Sequence, residues 1–323
     1  MKKSVLVVGG AGYIGSHVCK TLDGAGYHPV TLDNLCTGHK SFVRWGELVE
    51  ASVSDSEAVA HTIKKYAIDS VIDLAGSIEV AESVANPLKY YENNFASKLT
   101  FLQTLKENGI KAFVFSSTAA VYGEPETVPI PETHRCNPKN PYGWSKFLFE
   151  RLLADFHNVG GPPWMALRYF NAAGASFDGD IGENHQPESH LIPRACFAAL
   201  GRTPPLEVYG NDYPTPDGTA LRDYVHVMDL ASAHILAFEA LLAGKAPAAY
   251  NLGNGIGSSI QDILSGFTKL GKPVPHVFKE RRAGDPARLI ADNSLACKEL
   301  GFKPRYGDID SIISSAYSWH ASN

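Results

Sequence analysis

Tyr142 and Lys146, four residues apart, are the side chains in this 323-residue sequence best suited to acid–base chemistry. On a helix, this spacing puts the phenol and the ammonium on one face. A phenol of pKa about 10 needs a downward shift of about 3 pKa units, about 4 kcal/mol, to act as a base near neutral pH. One ammonium at about 5 Å supplies on the order of 3 kcal/mol, and burial opposes it. A second positive charge is therefore needed, and the hydroxyl of Thr118 could bond the reacting oxygen and relay its proton.

A glycine-rich loop at residues 9–15 follows the first predicted strand and begins the first predicted helix. Residues without side chains let the backbone approach a pyrophosphate, and the helix N-terminus supplies free N–H groups. Asp33 lies 18 residues beyond Gly15, at the end of the second predicted strand. A carboxylate there accepts both ribose hydroxyls and repels a 2′-phosphate, which favours NAD over NADP. The charge of oxidised nicotinamide would complete the shift in the pKa of Tyr142.

The elements that must position these residues are short β-branched runs alternating with amphipathic helices. This alternation indicates βαβ units, hence an α/β fold with a Rossmann-like, doubly wound parallel sheet. In this setting a catalytic Tyr/Lys pair is favoured over the plain alternative of a surface tyrosine above a surface lysine. Ser54 and Glu57 are predicted to form a capping box. The predicted strands are 4–8, 29–32, 47–50, 70–74, 112–116 and 165–170, and the predicted helices are 12–25, 54–66, 93–108 and 141–157.

After Phe170, glycines and prolines break the alternation into loops around short helices. This change predicts a smaller, mixed α/β substrate domain. A predicted helix at 229–242 and a strand at 249–252 are expected to return to the first domain. We therefore expect an NAD-binding domain at residues 1–177, rejoined by about 221–252, and a substrate-binding domain at 178–323.

Composition excludes several classes of protein. The formal net charge is −5, and no run of like charges suggests a nucleic-acid or polybasic membrane surface. The apolar run at residues 5–8 is too short for a signal peptide or membrane span, so a cytoplasmic protein is expected. Five cysteines without a CxxC motif predict neither disulfides nor a zinc site. His185 and His190 are close in sequence but show no metal-ligand spacing, so they are interpreted as loop histidines and no metal is predicted.

Eight motifs together resemble the UDP-glucose 4-epimerase family of extended short-chain dehydrogenases/reductases, over nearly the whole chain. The resemblance implies tightly bound NAD, a UDP-hexose substrate bound by residues 178–323, and a homodimer formed through helices 93–108 and 141–157. It also implies that hydride leaves C4 of the hexose, that the 4-keto sugar turns over, and that hydride returns to its other face, with Tyr142 as the base. The motifs are residues 9–17, 32–35, 90–94, 115–118, 142–146, 167–171, 210–219 and 222–230.

The resemblance also implies a set of site residues. Thr118, Tyr142 and Lys146 would be catalytic. NAD would contact Gly9, Gly12, Tyr13, Ile14, Gly15, Asp33, Asn34, Ser52, Val53, Leu74, Ala75, Gly76, Asn94, Ser116, Tyr142, Lys146 and Phe170. The substrate would contact Thr118, Tyr142, Asn171, His190, Leu191, Val208, Tyr209, Arg222, Arg282 and Asp285. Within that set, Arg222 and Arg282 match diphosphate contacts and Asn171 a diphosphate-side contact. Leu191 matches a uridine-side contact, Val208 and Tyr209 the wall beside uracil, and Asp285 a contact to the uridine ribose.

Several positions depart from the family pattern. Ala51-Ser52 replaces a Gly-Asp pair, which weakens the adenine contact or leaves it to the backbone. Ile78 replaces a lysine that reaches the NAD phosphates, and Thr118 replaces a serine while keeping the hydroxyl. Leu289 occupies the position that controls entry of N-acetylhexosamines, so acceptance of those sugars stays open.

Related activities on this scaffold need an acid after the threonine. Sugar-nucleotide dehydratases carry Asp-Glu there and decarboxylases carry a glutamate at the second position, whereas this chain has Ala119 and Ala120. Epimerisation of UDP-GlcNAc or of UDP-pentoses remains an alternative. A non-catalytic NAD-sensing regulator is an alternative of another class, and loss of Tyr142 or Lys146 would support it, but both are present.

Overall fold

A seven-stranded parallel sheet forms the centre of the protein, in a computed structural model that describes residues 2–282 and 285–323. The order across the sheet is β11-β6-β5-β4-β1-β2-β3, with every neighbouring pair parallel. This architecture confirms the predicted Rossmann-like α/β fold. The strands are β1 (Ser4–Val8), β2 (His28–Asp33), β3 (Glu47–Glu50), β4 (Ser70–Asp73), β5 (Ala112–Thr118), β6 (Trp164–Tyr169), β7 (Asn171–Ala173), β8 (Leu206–Tyr209), β9 (Leu221–Arg222), β10 (Tyr224–His226), β11 (Ala248–Leu252), β12 (Ser258–Ser259), β13 (His276–Lys279) and β14 (Arg288–Leu289).

Helices cover both faces of this sheet. Apolar residues of α1, α8 and α10 pack on one face, and those of α2, α5 and α6 pack on the other. Each buried large apolar side chain contributes about 1.5–3 kcal/mol to this packing. The helices are α1 (Tyr13–Gly24), α2 (Ser56–Lys65), α3 (Val80–Ala85), α4 (Pro87–Tyr91), α5 (Ser97–Glu107), α6 (Pro141–His157), α7 (Leu191–Ala199), α8 (Val227–Leu242), α9 (Ile260–Lys269), α10 (Ser294–Leu300) and α11 (Ile309–Ser322).

The second half of the chain forms smaller units beside the sheet. Strands β12, β9 and β14 make a three-stranded sheet, β13 pairs with β8, and β10 pairs with β7. Helices α7, α9 and α11 share a separate apolar core with β8. Strand β11 is the edge strand beside β6, and α8 packs against α1. The position of β11 and α8 supports the expected return to the first domain, while the division at residues 177/178 stays a prediction.

Two local predictions differ from the structure. The predicted capping box is wrong, because Asp55 caps α2: its carboxylate accepts a hydrogen bond from the backbone N–H of Ala58 at 3.0 Å. Asp55 directly precedes Ser56, the first residue of the helix, so its side chain and not that of Ser54 is placed to bond the backbone N–H of Ala58. The helix predicted from residue 93 is instead entered through a π-helical turn at Glu92–Ala96.

None of the helices within residues 2–282 and 285–323 combines the length and the apolar character needed to cross a bilayer.

Candidate active site

The carboxyl ends of the central strands carry most of the predicted site. Because these strands are parallel, the loops after β1, β2, β4, β5 and β6 lie at the same edge of the sheet. The strand order reverses between β1 and β4, so the loops after these two strands border a crevice. Ligands of open α/β sheets bind at such a crevice. The structure therefore brings together the predicted cofactor residues of the loops after β1, β2, β4 and β5.

The glycine loop after β1 is packed too closely for side chains. Gly9 has φ +78°, and a Cβ there would lie 2.8 Å from the backbone nitrogen of Ala75. A Cβ at Gly15 would collide with the carbonyl oxygen of Gly9. No described residue caps α1 through a side chain at Gly12, so the first N–H groups of the helix, including that of Tyr13, are free for an anion. The loop fits a pyrophosphate.

Asp33 holds the glycine loop from the end of β2. Its buried carboxylate accepts hydrogen bonds from the backbone N–H of Ala11 at 3.0 Å and of Leu35 at 2.8 Å. Asn34 is exposed beside it, and Ser52 bonds its neighbour Ser54, with 2.8 Å between the hydroxyl oxygens. Asp33 thus lies where the sequence predicts a ribose contact.

Lys146 is buried on α6, facing the end of β5. Its ammonium donates to the carbonyl of Ser116 at 2.8 Å and lies 5.0 Å from the ring centre of Phe115. Burial, followed by the charge of Lys98, lowers the pKa of Lys146 to about 7, and Asp73 opposes this shift. In the ligand-free protein, the ammonium of Lys146 therefore loses its proton close to neutral pH.

Tyr142 is half-buried one helical turn before Lys146 and packs edge-on against Tyr90, with 6.5 Å between ring centres. Burial raises the pKa of Tyr142, and the neighbouring hydroxyl of Thr118 opposes the rise. The hydroxyl oxygen of Thr118 accepts from the backbone N–H of Ala120 at 3.1 Å, which leaves its proton available to donate. These groups alone leave the phenol protonated at neutral pH, in agreement with the requirement for a further positive charge.

Asn94 connects the loop after β4 with helix α6. Its side-chain oxygen accepts from the backbone N–H of Ser77 at 2.8 Å, and its amide lies 3.1 Å from the hydroxyl of Ser145. A Cβ on Gly76 would lie 2.9 Å from that same Asn94 oxygen and 3.3 Å from the ammonium of Lys146. The π-helical turn that carries Asn94 therefore helps bring the predicted cofactor loop to the catalytic helix.

A buried ion pair holds α6 against the sheet, and it was not predicted from the sequence. Arg168 on β6 binds Glu150 on α6 through two contacts, Nε to Oε1 at 3.0 Å and Nη2 to Oε2 at 2.6 Å. The hydroxyl of Ser117, next to Thr118, also donates to Glu150. The available signal was the spacing of Glu150, which lies four residues after Lys146 on the same helix face.

The predicted diphosphate-binding residues lie beside β8 and β9. Arg222 forms an ion pair with Asp285, and its side chain is only 13% exposed. The guanidinium of Arg282 lies 4.0 Å from the ring centre of Tyr209. The side chain of Val208 lies in the domain core, so only its backbone is positioned to contact a ligand.

The remaining predicted substrate residues lie on two other segments. Asn171 begins β7, directly after Phe170, and its backbone N–H donates to the carbonyl of Asp223 at 2.9 Å. Leu191 begins α7 and packs against the apolar core that contains Val208. His190 precedes α7.

His185 and His190 lie in a loop, as predicted, but the expectation that no carboxylate and histidine pattern of metal-ligand spacing surrounds them is wrong. Nδ1 of His190 lies 2.9 Å from an oxygen of Glu183 and 2.9 Å from one of Glu188, and Nδ1 of His185 lies 3.1 Å from Glu183. The ring of His185 meets that of Tyr13 edge-on, with 6.2 Å between centres. The two histidines and two glutamates are close in the sequence, but the conformation of their loop is what brings the side chains together.

The chain is similar to known proteins over nearly its full length. Residues 5–253 match the model of the NAD dependent epimerase/dehydratase family. A UDP-glucose 4-epimerase of Rhizobium leguminosarum bv. trifolii is 48% identical over 322 residues, covering 99% of this chain and 98% of the relative. The crystal structure of UDP-glucose 4-epimerase from Brucella ovis in complex with NAD is 50% identical with a TM-score of 0.96, covering 98% of this chain and 97% of that one. The UDP-glucose 4-epimerase from Bifidobacterium longum in complex with NAD+ and UDP is 36% identical with a TM-score of 0.92, covering 99% of both chains.

Proposed function

This chain belongs to the NAD dependent epimerase/dehydratase family, and on that premise we propose that it interconverts UDP-glucose and UDP-galactose. The observation that carries the proposal is the arrangement of Tyr142, Lys146 and Thr118 at the crevice edge of the sheet. This arrangement occurs in a chain 48% identical, over 99% of its length, to a UDP-glucose 4-epimerase.

NAD is the cofactor, and the residues at the crevice fit it. The side-chain-free backbone at Gly9 and Gly15 makes room for the pyrophosphate, and Asp33 offers its carboxylate to the ribose hydroxyls. When bound, NAD would supply the acceptor for the hydride that leaves C4 of the hexose and the donor that returns it to the opposite face of that carbon.

The side chains around C4 move the proton. Once the positive charges of Lys146 and of bound NAD offset the effect of burial, the Tyr142 phenolate accepts the proton of the C4 hydroxyl as the carbonyl forms, and Thr118 donates a hydrogen bond to the same oxygen. Lys146 stabilises the phenolate through its charge. When the carbonyl is reduced from its other face, Tyr142 gives the proton back, so the enzyme returns to its starting state.

Arg222 and Arg282 are proposed to bind the diphosphate, because a guanidinium pairs with phosphate through two hydrogen bonds. The diphosphate would compete with Asp285 for Arg222. Since the sugar itself would have few fixed contacts, it could rotate while UDP stays bound.

The dehydratase and decarboxylase alternatives are disfavoured by the turn after Thr118. Residues Ala119–Val121 form a 3₁₀ turn directly after this threonine, and neither Ala119 nor Ala120 can donate a proton. The positions that carry the acid in those enzymes are therefore filled with methyl groups.

We propose that the enzyme is a homodimer and acts in the cytoplasm. Large apolar side chains are exposed on α4, α5 and α6, among them Leu88 (77% exposed), Leu99 and Leu148. A second copy covering this surface would remove them from water. The five cysteines are free thiols, which suits a reducing compartment. Light scattering should give twice the chain mass, and Leu88→Lys should weaken the association.

A substrate panel tests the proposed reaction. UDP-glucose, UDP-GlcNAc, UDP-xylose and UDP-glucuronate are each incubated with the purified enzyme without added cofactor, and the products are identified by chromatography. We expect UDP-galactose from UDP-glucose. Conversion of UDP-GlcNAc or UDP-xylose alone would instead support the alternative epimerase activities, and inactivity with all four would support the non-catalytic regulator.

A further inference from the structure

The loop between β7 and α7 gathers four metal-ligating side chains. Glu183, His185, Glu188 and His190 each offer one ligand atom, and these atoms all lie within 4.8 Å of one another. Two are imidazole nitrogens and two are carboxylate oxygens. All four come from an eight-residue stretch of the chain, so one loop conformation is sufficient to assemble them.

Burial distinguishes this group from an ordinary surface cluster of charges. The side chain of Glu183 is 4% exposed and that of Glu188 is 6% exposed. Oε2 of Glu188 is buried and has no hydrogen-bond partner among the described residues; it lies 3.6 Å from Nδ1 of His185, facing the cluster. Burying a carboxylate oxygen in this way is costly unless a charge compensates it.

We propose that these four residues bind one divalent transition-metal ion of the zinc type. Imidazole nitrogen with carboxylate oxygen is a donor set that suits Zn²⁺, whereas Ca²⁺ and Mg²⁺ prefer oxygen ligands in larger number. Zinc ligands at 2.0–2.1 Å in tetrahedral geometry are about 3.3 Å apart. The separations of 2.9 and 3.1 Å between Nδ1 atoms and carboxylate oxygens are close to that value. Two carboxylates with two neutral imidazoles leave two negative charges, which one such ion neutralises.

The proposed ion has a structural role, because four protein ligands complete a tetrahedral site and leave no open position for chemistry. The loop it would hold is anchored on both sides. The indole N–H of Trp319 donates to the carbonyl of Glu183 at 3.0 Å, and Nε2 of His39 lies 2.8 Å from the carbonyl of Asn184. His185 contacts Tyr13 of the glycine loop, and Leu191 follows the last ligand. The ion would thus fix the segment that connects the cofactor side with the uridine side.

Cobalt spectroscopy tests the proposal independently of activity. The NAD-loaded full-length enzyme is dialysed against a chelator and titrated with Co²⁺, and a parallel sample is loaded with Zn²⁺, desalted and analysed by elemental mass spectrometry. We expect a saturable visible absorption typical of tetrahedral Co²⁺, one zinc ion per chain, and a higher Tm with zinc. Glu188→Gln, which keeps the shape of the side chain, and His185→Ala should each weaken binding at least about tenfold.

His28→Gln serves as the matched control. His28 pairs with Glu47 at 2.6 Å at the opposite, amino end of the sheet strands, so this variant removes a histidine–glutamate pair without touching the loop. It should bind metal like the unmodified protein. Circular dichroism establishes that each variant is folded. Absence of stoichiometric zinc in the unmodified enzyme, or unchanged binding in folded Glu188→Gln, would overturn the proposal and leave the cluster as a proton-bridged ion-pair network.

Discussion

The ammonium of Lys98 lies 2.7 Å from Oδ2 of Asp73, and both side chains are buried beneath the loop that follows β4. Lys98 also donates to the carbonyl of Ala75 at 2.7 Å, within the predicted cofactor loop. Its charge contributes to the low pKa of Lys146. The Lys98–Asp73 pair therefore links the loop after β4 electrostatically to Lys146.

Lys98→Met should destabilise the protein by about 3–5 kcal/mol, because it leaves the carboxylate of Asp73 buried without its counter-charge. The double variant Lys98→Met/Asp73→Asn should recover most of this loss, since neither charge remains and the amide oxygen can still accept from Ala75. Urea unfolding monitored by circular dichroism measures both values. Equal stability of the single and double variants would show that the two charges do not interact.

Tyr142→Phe should lower kcat by about two to four orders of magnitude, because the proton of the C4 hydroxyl loses its acceptor. Bound NAD should be retained, since the glycine loop is untouched. Tyr90→Phe is the matched control: it removes a phenol that packs against Tyr142 and bonds Glu82, and it should change kcat far less. Full activity in Tyr142→Phe would disprove the proposed proton transfer.

The sequence was most informative where local signals agreed. Helix α6 was predicted with its observed bounds, because Pro141 favours the first helical turn. The structure adds a cap, since the side chain of Asn140 accepts from the N–H of Gly143 at 2.8 Å. Strand β3 was likewise predicted with its observed bounds. The start of α2 was missed because Ser54 and Asp55 are both good capping residues, and local sequence alone does not decide between them.

The buried charges could not be predicted, because tertiary packing alone pairs them. Lys98 and Asp73 are 25 residues apart, and Arg168 and Glu150 are 18 apart, on different elements. The placement of Tyr142 and Lys146 on one helix face could be predicted because the two residues have a fixed helical spacing. The protonation state of Lys146 could not be predicted, since its pKa depends on burial and on the charge of Lys98, which lies on another helix.

Acid should destabilise the protein through His226, which caps α8 and contacts Ser315 at 3.1 Å. Burial is the main cause that lowers the pKa of His226 from 6.5 to about 4, with a smaller contribution from His17, and Asp308 opposes the shift. Between these values the unfolded chain binds a proton that the folded protein excludes. Stability is therefore lost as pH falls from 6.5 towards 4, by up to about 1.4 kcal/mol per pH unit.

His226→Asn keeps a capping side chain but removes this titration. Urea unfolding between pH 6.5 and 4 should show a shallower loss of stability in this variant than in the unmodified protein. The two proteins are compared by the slope of unfolding free energy against pH, so a loss of stability that is the same at every pH does not affect the result. Parallel pH profiles for the two proteins would contradict a buried neutral His226.

Arg222→Lys should raise KM for UDP-glucose by about tenfold or more with little change in kcat. The diphosphate is bound in the same way in the ground state and in the transition state. Losing the bidentate guanidinium contact therefore weakens the binding of both states equally. Arg288→Lys is the control, because Arg288 is exposed on the neighbouring strand β14 and pairs in register with Leu221, next to Arg222. Steady-state kinetics of both variants distinguishes the loss of the Arg222–diphosphate contact from a general effect of replacing an arginine by lysine nearby. A fall in kcat with unchanged KM in Arg222→Lys would place this arginine in the transition state rather than in UDP binding.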